Sequence, residues 1–165
     1  MTTLPPCDPE ALLFGMLGAA ASLALANIGA AYGTAKAGVA VAQLGILHPN
    51  RVMRGIVPVV MAGILGIYGL IVSVIICNNM KTSGYSLFSG YLHFGGGLGA
   101  GFASLASGYA IGVVGDVCCH AYAKTEKIFV PMILMLIFGE ALGLFGLITA
   151  LLMSSRANAA VGRCK

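Results

Sequence analysis

Charged residues divide this chain into four apolar stretches, each long enough to cross a lipid bilayer. No Asp, Glu, Lys or Arg occurs from Ala11 to Ala35, from Gly55 to Met80, or from Thr82 to Gly115, and the stretch between Lys127 and Arg156 is interrupted only by Glu140. A hydrocarbon core takes roughly 20 residues of helix to span. Only 8% of the 165 residues are charged, where a soluble domain of this size would need about three times that share to cover its surface. The expected fold class is therefore all-α: a polytopic membrane protein with four transmembrane helices at about 11–35, 55–77, 91–115 and 128–153.

The first ten residues, MTTLPPCDPE, hold acids and prolines but no basic n-region and no small-residue cleavage site, so they do not read as a cleaved signal peptide. Lys36, Arg51 and Arg54 fall between the first two stretches, and Lys124 and Lys127 between the last two, whereas the 78–90 connection carries only Lys81. By the positive-inside rule, loops 36–54 and 116–127 face the cytosol and both termini face the lumen, against which Arg156, Arg163 and Lys165 count.

The chain repeats itself. GIYGLI at 66–71 returns as GLFGLI at 143–148, an offset of 77, and ASLA at 21–24 returns at 103–106, an offset of 82. These matches relate the second stretch to the fourth and the first to the third, so the chain reads as two helical hairpins in tandem, 1–79 and 80–165. The difference between the offsets predicts a longer connection inside the first hairpin. Each unit has an even number of helices, so both copies share one orientation in the membrane.

Small residues recur four apart: Gly29 and Gly33, Gly97 and Gly101, Gly108 and Gly112, Gly139 and Gly143, with Gly18, Ser22, Ala26 and Ala30 forming a continuous stripe. In lipid, helices associate through close packing rather than water exclusion, and such stripes let backbones approach. The first and third helices are the expected tight pair, in a molecule suited to a multi-chain ring.

Glu140 lies near the midpoint between Lys127 and Arg156, and so near the bilayer centre. An ionised acid there costs about 2.5–3.5 kcal/mol on insertion scales, and intramembrane carboxylates are accordingly functional by default. Lost hydration favours the neutral form, which makes the residue a candidate for loading and releasing a proton. Under the offset of 77 its counterpart is Gly63, so the acid occurs once per chain. His93 and His120 are expected at other levels, His120 in a loop, and no Lys or Arg shares its depth; a counter-charge would come from another protein. Tyr68 is the side-chain donor expected near the level of Gly63 and Glu140, with Ser73 farther off. A structural alternative is a neutral Glu140 that only holds helices together, through Tyr68 or a serine.

Other chemistry is poorly represented. The net charge of +4 resides in loops and tail rather than in a patch, which argues against nucleic acid. No phosphate-binding loop of the G-x-x-x-x-G-K-[ST] type occurs. Cys7, Cys77, Cys118, Cys119 and Cys164 form no C-x-x-C pattern, and consecutive Cys118, Cys119 and His120 diverge on a helix, so neither a disulfide framework nor a metal site is expected. Asp116 is placed at the cytosolic boundary, free to contact a partner.

The stretches GAAYGTAKAGVAV (29–41), IVPVVMAGILGIYGLI (56–71), AIGVVGD (110–116) and LIFGEALGLFGLI (136–148) closely resemble the 16 kDa proteolipids, the c subunits, of vacuolar-type proton-translocating ATPases (V-ATPases). The resemblance covers nearly the whole chain. It implies a rotor ring of proteolipids in the lipid bilayer of an acidic endomembrane, turned by ATP hydrolysed in other subunits, with no catalytic site and no cofactor in this chain. Glu140 would carry the transported proton, with Tyr68, Gly63, Gly139 and Gly143 as candidate supports of the site. Gly18, Ser22, Ala26, Gly29, Gly33, Gly97, Gly101, Gly108 and Gly112 would pack the ring. Implied partners are other proteolipids, the stator's a subunit presenting an essential arginine between two aqueous half-channels, and central-stalk subunits at the cytosolic loops. The family commonly has alanine or another small residue where this chain has Gly139 and Gly143. The extra first helix of the c″ proteolipid is lacking, and c and c′ are not separated.

Sodium-pumping relatives surround the glutamate with several side-chain oxygens, which this chain does not offer, so the proton is the expected ion. A small multidrug antiporter is the alternative transporter, but those carry their acid in the first helix among aromatics including Trp, and this chain has no Trp.

Overall fold

The computed structural model describes residues 10–80 and 85–160, with side chains through 158; Cys7, Cys164, Lys81, Arg163, Lys165 and the first nine residues lie outside them. Helix α1 is Glu10–Leu47. A single 3-10 turn, Pro49–Arg51, leads into α2, Val52–Gly55, and α3, Val57–Asn79. Helix α4 is Leu87–Lys124, and a second 3-10 turn, Glu126–Ile128, leads into α5, Phe129–Ala160. Among the described residues there is no strand, and four spans are long and apolar enough to cross a membrane.

Local sequence explains the helix starts. Pro49 and Pro58 sit in the first turns of their elements, where a missing N–H costs nothing. The Ser86 hydroxyl accepts from the Ser89 N–H at 3.3 Å and caps α4.

Helices α1 and α4 lie side by side in parallel and form the closest seam; α3 packs on α1, α5 on α4, and α3 and α5 also touch. Glycine makes the central seam possible. A Cβ at Gly97 would overlap the backbone of Gly18, one at Gly108 that of Gly29, and one at Gly112 would stand 3.0 Å from Gly33 Cα. The neighbours are main-chain atoms, which have no rotamer to change. Gly101 opposes Leu25 and the Ala21 carbonyl, while Ser22 and Ala26 meet Gly69 of α3, the Ser22 hydroxyl donating to the Ala19 and Gly69 carbonyls. The predicted stripe is thus largely used inside the chain, joining its two hairpins. Large apolar side chains such as Ile67, Leu70, Phe138 and Phe145 point outward, the orientation expected of helices bathed in lipid.

Three expectations need correction. First, α1 and α4 do not stop at the charges that bounded the predicted spans: they continue to Leu47 and Lys124, so much of the predicted 36–54 and 116–127 loops is helix. A charge sets where a helix leaves hydrocarbon, not where its hydrogen bonding ends. Here Ala37, Ala40, Val41 and Leu44 extend the buried stripe of α1, and Lys36 pairs with Asp116 at 3.2 Å. Helix α5 likewise runs past the predicted end at 153 to Ala160. Second, His120 is helical: its Nε2 lies 2.6 Å from Gln43 Oε1 and its Nδ1 3.5 Å from Asp116.

Third, one offset relates the two halves. Glu10–Leu47 and Leu87–Lys124 differ by 77 at both ends, as do Pro49–Arg51 and Glu126–Ile128. The connections inside the two hairpins are equally short, at His48 and Thr125, so the ASLA match at 82 is not the structural repeat. A four-letter word of small residues recurs readily in a chain this rich in alanine. Contacts follow the same rule: Gly69 approaches Ala26 as Gly146 approaches Ala103.

Polar ties close both ends of the bundle. Arg51 forms an ion pair with Glu126 at 2.9 Å and donates to the carbonyls of Tyr122 and Ala123 at the end of α4. At the other end the Tyr85 phenol is hydrogen-bonded to His93 Nδ1 at 2.6 Å, and Asn79 donates to Ser154 Oγ at 2.9 Å, which also lies 3.4 Å from His93 Nε2. Burial pushes the Tyr85 phenol up to about 12, so it stays protonated at neutral pH.

Candidate functional site at Glu140

Glu140 is partly buried on α5, near the middle of the span Glu126–Asn158. Its Oε1 accepts the Tyr68 phenol of α3 at 3.0 Å. Tyr68 is itself partly buried and held against a cluster that includes Ala30, Leu65, Ile111 and Leu136. The bond therefore crosses from the first hairpin to the second.

Two glycines set that crossing. A Cβ on Gly143 would lie 2.7 Å from Leu65 Cδ2, so this glycine admits α3 against α5. A Cβ on Gly139 would lie 3.1 Å from Ile111 Cγ1, which brings α5 close to α4. There the Ser107 hydroxyl donates to the Gly139 carbonyl at 2.6 Å, one residue before Glu140. Gly63 does not join this group: it is exposed, and nothing lies within 4 Å of where its Cβ would be. The counterpart of the acid faces away because α3 and α5 meet along only one side of each helix.

Ser107 was not anticipated, although the repeat holds a signal for it. At an offset of 77, Ala30 becomes Ser107, Gly63 becomes Glu140, and Tyr68 becomes Phe145. At each of these three positions one copy is polar and the other is not, and together they build the site.

Among the described residues no Lys, Arg or His forms an ion pair with Glu140. A phenol supplies one hydrogen bond but no charge. A donor to the carboxyl oxygen serves either protonation state, but in an apolar medium a carboxylate would still lack a counter-ion and bear the cost of desolvation. The arrangement gives Glu140 one hydrogen-bond donor and, among the described residues, no counter-charge from its own chain. His93, buried in the network with Tyr85 and Ser154, is far along α4 from Ser107 and takes no part.

Asp116 pairs with Lys36 and His120 at the other boundary. Cys77, Cys118 and Cys119 are free thiols, the last two buried, and among the described residues no group of His, Cys, Asp or Glu could hold a metal ion.

Two tandem hairpins with small-residue seams and one carboxyl at mid-membrane define a membrane proteolipid of the ion-carrying type. Comparison with known proteins agrees: the family model for the ATP synthase C subunit matches twice, at residues 17–76 and 94–153, again 77 apart. The chain belongs to that family. It is 49% identical over 146 residues to the V-type proton ATPase c′ subunit of Saccharomyces cerevisiae, covering 88% of this chain and 89% of the relative. It is 52% identical over 155 residues to the V-type proton ATPase 16 kDa proteolipid subunit of Chrysotila carterae, covering 91% and 94%. Nothing in these likenesses supports the multidrug antiporter.

Proposed function

We propose that this chain is a proton-carrying rotor-ring subunit of the membrane sector of a vacuolar-type ATPase. The observation that carries the reading is a single carboxyl at mid-membrane, hydrogen-bonded to Tyr68 at 3.0 Å and, among the described residues, without an ion-pair partner in its own chain. Likeness to two V-type proteolipids over about nine-tenths of the chain supports it.

In this reading the transported ion is H+ and the chain holds no catalytic site and no cofactor; ATP is hydrolysed elsewhere in the complex. Glu140 takes up a proton from a cytosolic half-channel and crosses the lipid-facing arc of the ring neutral, bonded to Tyr68. It loses the proton on the luminal side, where an arginine of the stator offers the missing charge. Opposite charge within a few ångströms favours the ionised acid, so rotation past the arginine drives release. Loops at the Leu47–Pro49 and Lys124–Glu126 ends face the cytosol and the central stalk, and both termini face the lumen.

The test is ATP-driven acidification of vesicles from cells whose only copy carries Glu140→Gln, with assembly of the complex measured in the same membranes. The expected result is an assembled complex that hydrolyses ATP without acidifying the lumen, or is stalled. Acidification at the normal rate would assign Glu140 the structural role of holding α5 to α3.

A further inference from the structure

Basic side chains gather at one end of the bundle. His48, Arg51 and Arg54 line an open, mostly polar cavity of about 510 Å³, with Asn50, Tyr122 and Glu126 also in its wall. At an offset of 77 the three basic positions become Thr125, Ile128 and Pro131, so the second hairpin has no copy of the cluster. Like the acid at mid-depth, it occurs once per chain.

The fold uses only part of this charge. Arg51 is committed, pairing with Glu126 at 2.9 Å and donating to the carbonyls of Tyr122 and Ala123. Arg54 is exposed and, among the described residues, forms no ion pair. Tyr122 is 1% exposed, and its phenol oxygen is buried without a hydrogen-bond partner. A buried hydroxyl left unpaired is unfavourable, and a bound ligand or water is the usual reason one persists.

The cavity opens at the depth of lipid headgroups. Arg54 stands nine residues from Gly63 along α2 and α3, and Gly63 is the repeat's counterpart of Glu140 at mid-membrane. At about 1.5 Å per residue this is roughly 13.5 Å. Half of a hydrocarbon core is about 15 Å.

A second cavity adjoins it, about 530 Å³ in volume and mostly apolar. Leu47, Val117 and Ala121 line it, and His48 belongs to both cavities. The pair therefore has the polarity of an amphiphile, basic on one side of His48 and apolar on the other.

We propose that these adjoining cavities bind an anionic phospholipid, with its phosphate held by Arg54 and His48 and its glycerol and the first part of an acyl chain lying against Leu47, Val117 and Ala121. A guanidinium presents a planar fork of donors that matches phosphate oxygens, and an imidazole N–H donates in either protonation state. Arg51 offsets the carboxylate of Glu126, so the acid in the wall does not repel the phosphate. Basic pockets between membrane helices suit anionic headgroups for the same electrostatic reason. A free phosphate compound offers the same oxygens but uses only the basic half of the site.

The test titrates the full chain, purified in a mild detergent, with dioctanoyl phosphatidic acid and counts bound lipid by native mass spectrometry. Binding at least tenfold tighter than that of dioctanoyl phosphatidylcholine is expected. Arg54→Gln should weaken it at least fivefold, whereas Lys127→Gln, which removes the same charge from the same end but outside both cavities, should stay within twofold. Equal losses in the two variants would reveal diffuse attraction and overturn the site, as would equal affinity for the two lipids. Circular dichroism confirms that each variant keeps its helices, and Arg54→Lys, which retains the charge, should lose less than Arg54→Gln; a loss as large overturns the ionic grip.

Glycerol 3-phosphate separates the two sources of phosphate. It is expected to bind at least tenfold more weakly than phosphatidic acid, and equal binding would overturn the lipid in favour of a soluble phosphate compound. Tighter binding of an oligoglutamate peptide than of phosphatidic acid would overturn it in favour of an acidic protein segment.

Discussion

Adding one methyl group at Gly108 should separate the two central helices. An alanine Cβ there would overlap the Gly29 backbone, reaching 2.9 Å from its Cα and closer still to its carbonyl group, where carbon atoms normally rest about 3.5–4 Å apart. Main-chain atoms cannot turn aside, so α1 and α4 must part by something near 1 Å along a seam that also holds Gly18, Gly33, Gly97 and Gly112. Overpacking of this kind costs typically about 1–3 kcal/mol, and the methyl returns roughly 0.5–1 kcal/mol through helix preference. Gly99→Ala supplies the comparison, since Gly99 has nothing within 4 Å and should show only the helix gain. The helix gain is common to both, so the expected gap between the two variants is the overpacking cost, about 1–3 kcal/mol, or roughly five- to a hundred-and-fiftyfold in the folded ratio. Reversible unfolding in mixed detergent micelles, followed by circular dichroism and pulse proteolysis, measures it. Equal stability of Gly108→Ala and Gly99→Ala would refute backbone contact as the basis of the seam.

Tyr68→Phe keeps the ring and removes the donor to Glu140, and at a net worth of about 0.5–1.5 kcal/mol for one hydrogen bond the proton-pumping rate should fall roughly two- to tenfold with assembly intact; an unchanged rate would show that the phenol does not serve the site. Lys36→Ala breaks a pair whose side chains are 48% and 25% exposed, so the loss of stability should stay under about 1 kcal/mol and shrink with added salt in the same unfolding assay. Tyr85 is held neutral by burial, with its folded value raised from 10.0 to about 12. Its contribution is therefore complete below about pH 10 and lost as pH climbs through 12. Alkaline unfolding should begin at lower stability in Tyr85→Phe, which lacks the bond to His93, but without that steepening.

The class of this protein was legible from charge spacing alone, because hydrocarbon admits few charges and a helix must be a fixed length to cross it. The place of Glu140 near the middle of the fourth span was legible for the same reason, since one acid interrupts an otherwise apolar run. The tandem repeat was visible through GIYGLI and GLFGLI, but ASLA pointed to a false offset, since small-residue words recur by composition rather than by descent from a common unit. Helix ends were misplaced because Lys36 and Asp116 mark the edge of the membrane while the helices that carry them run on. Ser107 escaped notice because a serine in an apolar helix usually bonds its own preceding turn, and only the approach of α5 aims it at the Gly139 carbonyl.

Sequence by itself determined that the chain lies in a membrane as four helices, that its halves repeat, and that one carboxyl sits at mid-depth. These are one-dimensional consequences of hydropathy and period. Tertiary structure decided which faces meet. It set the glycines of α1 against those of α4, paired Tyr68 with Glu140 across the hairpins, and left Gly63 facing outward. Such choices depend on helix rotation and register, which follow from the fit of side chains and backbones between helices and have no signature along any single one of them.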